Sequence, residues 1–125
     1  MKKYIQFIQL VLVTAICFLP KISLATPSAP SAPTVTATSS TSISISWTAV
    51  SGATLYKLYR STSSSGTYTQ IYYAATPSYT DSGSHLSSGT TYYYKVTAGN
   101  STGWSGYSSV SSAVTYPSTP SAPLS

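Results

Sequence analysis

The chain has 125 residues, room for one domain, and a formal net charge of +5 that sets six Lys and Arg against a single acidic residue. Glycosidases and acid proteases need two carboxylates, and zinc sites need three or four ligands. With one acid, Asp81, one histidine, His85, and one cysteine, Cys17, no catalytic, metal-binding or cofactor-binding residues are expected. The positive charge also divides unevenly. Lys2, Lys3 and Lys21 fall in the first 25 residues, which leaves Lys57, Arg60 and Lys95 against Asp81. Three scattered cations make no phosphate-tracking surface, so no nucleic-acid partner is expected.

Residues 1–25 read as a secretory signal peptide. Met1-Lys2-Lys3 supplies a positive start, Ile8 to Pro20 a short apolar run, and Ser23-Leu24-Ala25 the small residues of a cleavage site after Ala25. The run is shorter than the roughly 20 residues that cross a bilayer and is closed by Lys21, so no stable membrane insertion is expected after cleavage. Cys17 lies inside this run as a small hydrophobe, and Ile16 before it does not suit a lipid-attachment site. A cleaved chain keeps no cysteine. Its stability then rests on packing and hydrogen bonds, in a secreted, extracellular or cell-surface setting.

Residues 26–33 form a Pro/Ser/Ala-rich linker whose prolines recur at every third position, which favours an extended polyproline lead-in and reads as a tether. Val35 and Ala37 alternate with threonines in a first, edge-like strand, and Ile43, Ile45 and Trp47 alternate with serines and Thr48 in the clearest period-two pattern of the chain. Leu55 to Arg60 follows, with Tyr56 and Leu58 on one face and Leu55, Lys57 and Tyr59 on the other. After the polar loop Ser61 to Gly66, Tyr68 to Tyr73 is expected to point Ile71 and Tyr73 inward and Tyr72 outward. Ser78 to Asp81 is a short strand, and Asp81-Ser82-Gly83 reads as a turn capped by its own carboxylate.

Leu86 to Ala98 is the most informative stretch. A glycine-bearing turn runs into a strand with Tyr92, Tyr94, Val96 and Ala98 on one face and Tyr93, Lys95 and Thr97 on the other. Gly99 to Tyr107 reads as a flexible loop carrying Trp104 and Tyr107, and Asn100-Ser101-Thr102 fits an N-glycosylation acceptor. Ser109 to Tyr116 is a last strand in which Val110, Ala113 and Val114 break alternation, so a bulge is expected near Ser111 and Ser112. Residues 117–125 form a Pro/Ser-rich tail that nearly repeats the lead-in, as a bead cut from a tandem array would.

Trp47, Tyr56, Leu58, Leu86, Tyr92, Tyr94 and Val96, in this order and spacing, resemble the fold-defining core of a fibronectin type III domain over residues 34–116. Leu86 followed six positions later by Tyr92 resembles that family's tyrosine corner, in which the hydroxyl bonds back to the turn backbone. The stretch Tyr56 to Tyr68 is similar to the bacterial branch of the family. The resemblance implies an all-β, immunoglobulin-like sandwich of seven strands in two antiparallel sheets, A, B and E against C, C′, F and G. It also implies a non-catalytic structural spacer or accessory module of an exported, bacterial protein.

A second reading rests on aromatic excess. Tyr59, Tyr72, Tyr93, Trp104 and Tyr107 cannot all fit a small core, and exposed rings stack on sugars or anchor interfaces. A carbohydrate- or protein-binding surface built from Tyr59, Tyr93, Trp104 and Tyr107 is the alternative, with a polysaccharide or another exported protein as partner. Cross-strand pairing also rewards tyrosines on outward sheet faces, so composition leaves the two readings open. A Ser-His-Asp triad is not expected, because Asp81 would have to orient His85 from the same short turn.

Overall fold

The alternating segments form eight strands, seen in a computed structural model that describes residues 24–118. Strands β1 (Thr34–Ser39), β2 (Ser42–Ser46) and β5 (Ser78–Ser82) make a three-stranded sheet in the order β1-β2-β5. The second sheet contains β3 (Leu55–Ser61), β4 (Thr69–Ala74), β6 (Thr91–Asn100), β7 (Gly103–Trp104) and β8 (Ser111–Val114), ordered β4-β3-β6 with β7 and β8 both paired to β6. Every pairing is antiparallel. The expected last strand is β8, and the count rises to eight because the two-residue β7 forms inside the segment expected to be a loop.

Alternation decides what each sheet buries. Ile43, Ile45 and Trp47 face Tyr56, Leu58, Tyr92, Tyr94, Val96 and Ala98 across the sandwich, and Leu86 closes one end. None of these is more than 7% exposed. Trp47 meets the Tyr56 ring edge-on at 5.5 Å, and the Tyr56 hydroxyl accepts the Val50 N–H at 2.9 Å. At the β5–β6 turn the Tyr92 hydroxyl accepts the Ser87 N–H at 2.8 Å, the bond back to the turn backbone that the corner pattern implies. Thr115 locks the same corner: buried, it donates its hydroxyl to the Ser87 carbonyl at 2.6 Å and accepts the Thr90 N–H at 3.0 Å.

Four expectations change. On β4 both Ile71 and Tyr72 pack against the core while Tyr73 is 54% exposed. The cause is a register shift: Leu58 pairs with Tyr72 and Tyr59 with Gln70, so Ile71 is an extra residue and the inward-outward alternation is reset. Pairing of β8 is regular across Ser111 and Ser112. The irregularity comes earlier: the Ser105 N–H bonds the Ala98 carbonyl in the β7 register, the Ser108 N–H bonds the Val96 carbonyl one residue out of that register, and β8 pairs one residue further still. Trp104 lies in β7 rather than in a free loop. Finally, the lead-in is not a loose tether: Pro27, Pro30 and Pro33 are buried, and the residues between them are exposed. The signal segment and most of the tail lie outside the described residues, as does Cys17.

Candidate functional site

The outward face of the five-stranded sheet gathers most of the exposed aromatics among the described residues, and two lysines organise them. Lys57 on β3 pairs with Tyr73 on β4 and Thr97 on β6, while Tyr59 pairs with Lys95 on β6, so strand register alone sets cations beside rings. Lys57 Nζ lies 4.1 Å from the Trp104 ring centroid and 5.9 Å from that of Tyr73. Lys95 Nζ lies 3.7 Å from the Tyr107 ring and 4.1 Å from Tyr68. An ammonium over a ring face is worth about 0.5–1 kcal/mol where it is solvent-exposed.

Of the residues that sequence points to, Tyr59, Trp104 and Tyr107 join this arrangement directly. Tyr59 meets Tyr107 edge-on at 5.2 Å and 85°, and Tyr73 meets Trp104 at 5.8 Å and 45°. Tyr93 sits half-buried on the same face, and after burial itself it is the second influence that raises the Tyr68 phenol pKa. Tyr73 and Tyr68 are members that sequence reasoning missed, Tyr73 because the β4 bulge turns it outward. The rings are not coplanar. A sugar platform needs open, parallel faces, whereas these stand at steep angles and several carry an ammonium group.

Close backbone approach fixes Trp104. A Cβ on Gly99, its cross-strand partner, would come within 2.5 Å of the indole, so glycine is required for the ring to lie on the strand. Two serines then hold the outer chain to β6 where its pairing slips. The Val96 N–H donates to Ser108 Oγ at 3.0 Å and the Ala98 N–H to Ser105 Oγ at 2.9 Å, each hydroxyl standing in for the carbonyl a regular ladder would offer. Asn100 of the acceptor sequon is equally occupied. Its amide nitrogen donates to the Ala25 and Gly52 carbonyls, and its oxygen accepts the Thr102 and Gly103 N–H groups.

The second polar cluster lies between the sheets. Asp81 is fully buried on β5 and does not cap its own turn; its carboxylate is held by Arg60 Nη1 at 2.8 and 2.9 Å, by the Tyr94 hydroxyl at 2.8 Å and by His85 Nε2 at 2.8 Å. Burial, followed by the hydrogen bond to Asp81, raises the Tyr94 pKa far above its ordinary value, so the phenol keeps the proton it donates. The signal was present in sequence: Arg60 follows Tyr56 and Leu58 on the buried face, and a guanidinium that is largely withdrawn from water needs a carboxylate. The chain has a single candidate. All three cations among the described residues are therefore engaged within the fold, and no group of acids, histidines and cysteines there could hold a metal.

No family model matches the chain. Among solved structures it is similar to the sixth fibronectin type III domain of human fibronectin type III domain containing protein 3, with 28% identity, 84% of this chain and 100% of that one covered, and a TM-score of 0.68. A further domain of human fibronectin type III domain containing protein 3 gives 29% identity, coverage of 78% and 94%, and a TM-score of 0.64. The folded part has the fibronectin type III fold. Among curated proteins, the chain is 49% identical over 71 residues to a poly(3-hydroxybutyrate) depolymerase of Ralstonia pickettii. The match takes in 57% of this chain and 13% of the depolymerase.

Proposed function

We propose that the protein is a non-catalytic structural spacer or accessory module of an exported bacterial protein. The observation that carries this reading is the engaged state of its chemistry: Lys57 and Lys95 are spent on aromatic rings, and Arg60, Tyr94 and His85 on Asp81. The likeness to a stretch covering 13% of a depolymerase supports an accessory part, since so small a share is the size of a module. Export is supported by the signal-like residues 1–25. Among the described residues no helix is long and apolar enough to cross a membrane.

The second reading, a carbohydrate- or protein-binding module, is favoured by Tyr73 and Tyr107, each 54% exposed on the same sheet face. Adsorption separates the two. The full chain is mixed with poly(3-hydroxybutyrate) granules and with insoluble polysaccharides, and free protein is measured after sedimentation. A spacer stays in solution at every polymer load. Saturable depletion that is lost in Tyr107→Ala would replace the spacer reading with the binding one.

A further inference from the structure

The lead-in is organised in threes. Pro27, Pro30 and Pro33 are buried, while Ser28, Ala29, Ser31 and Ala32 are exposed. A polyproline helix turns once in three residues, so every third side chain falls on one face, and the burial of every third residue here, with the prolines against the domain, has that period. Upstream, the Ala25 carbonyl accepts from the Asn100 amide at 2.8 Å and the Leu24 carbonyl from the Thr102 hydroxyl, but both residues precede the expected cleavage point, so in a cleaved chain the buried prolines are what hold the lead-in.

At the other end of the chain Pro117, Pro120 and Pro123 have the same spacing. Residues 117–123 differ from residues 27–33 at one position, Thr119 in place of Ala29. Ala29 is exposed, so the difference falls on the outward side of the helix and each proline that the domain covers has its counterpart.

We propose that residues 117–123 are the lead-in of a second fibronectin type III module, docking along it as residues 27–33 dock here, so that linked modules meet without a free hinge. The proposal rests on the spacer reading and says what kind of spacer it is. The chain is tied to the first module as far as Tyr116, whose N–H bonds Ser39 and whose carbonyl accepts from Gly89. Docking that begins at residue 117 leaves no slack between the modules. At 3.1 Å per residue the segment spans about 19 Å, a fixed offset between one module's end and the next module's first strand.

The test is a fusion in which Pro123 of one copy is followed directly by Thr34 of a second, so that the tail replaces the second lead-in. Exposed Ser65→Cys labels in both modules report the intermodule distance by double electron–electron resonance. The expected result is two modules melting at the single-chain Tm and a narrow distance distribution that broadens when Pro117, Pro120 and Pro123 become glycine. If the glycine version leaves the second module unfolded, Pro120→Ser takes its place and broadening is again expected. An unfolded second module in the parent fusion, a broad parent distribution, or a narrow one that survives proline replacement overturns the proposal. The adsorption experiment fails separately: a rigid fusion that binds polymer removes the spacer reading alone, and a flexible one that binds nothing removes the docking alone.

Discussion

Asp81 concentrates the chain's stability in one carboxylate, because it joins β5 of one sheet to Arg60 and Tyr94 of the other. Breaking a buried ion pair from one side strands the remaining charge, so Asp81→Ala is expected to cost about 3–5 kcal/mol in equilibrium denaturation. Tyr94 adds a pH dependence. The unfolded chain gives up this phenol's proton near its ordinary pKa of 10.0, whereas the folded protein keeps it, held by burial and by the bond to Asp81. A raised folded-state pKa contributes stability that is whole below pH 10 and lost as pH rises above it. The stability gap between the parent and Tyr94→Phe should therefore narrow as denaturation curves are taken above pH 10. At the corner, Tyr92→Phe removes the acceptor of the Ser87 N–H, with an expected loss of about 1–2 kcal/mol by the same assay. Tyr92 was legible from its distance to Leu86; of the Asp81 cluster only the Arg60 pair left a signal, through period two and the chain's single acid, because Tyr94 and His85 leave no mark in local spacing as its further partners.

Elements were legible where alternation is strict and obscure where one residue is added. Ile43, Ile45 and Trp47 announce β2, and Tyr92, Tyr94 and Val96 announce β6. The extra Ile71 in β4 inverts the expected sides of Tyr72 and Tyr73, and through that inversion it helps build the outer aromatic face. Beyond β6 the register slips twice, with Ser105 and Ser108 hydroxyls bridging each slip, which is why Val110, Ala113 and Val114 misplace the bulge in a sequence reading. Proline spacing gave the lead-in's conformation but not its burial, which depends on a surface supplied from elsewhere in the chain. The two-residue β7 exists beside Gly99, so Gly99→Ala is expected to lift the indole, seen as a changed tryptophan emission, with a loss of about 1–3 kcal/mol from overpacking.

Across the whole molecule the fold's polar and aromatic chemistry turns inward on itself. The sheets are joined by Asp81, the outer face is laced by Lys57 and Lys95, and the sequon Asn100 holds its own turn through the Thr102 and Gly103 N–H groups. The aromatic excess that made a binding surface plausible from composition becomes, once strand register is known, two lysine-centred clusters that fasten β3, β4 and β6 to the outer chain. Whether those rings serve the fold is open to direct measurement in the pair with the closest approach, Lys95 and Tyr107 at 3.7 Å. A double-mutant cycle of Lys95→Ala and Tyr107→Ala in equilibrium denaturation should give a coupling of about 0.5–1 kcal/mol in favour of the pair. Additive effects, with the Tyr107→Ala variant as stable as the parent, would show an aromatic face that the fold does not use and would contradict the account.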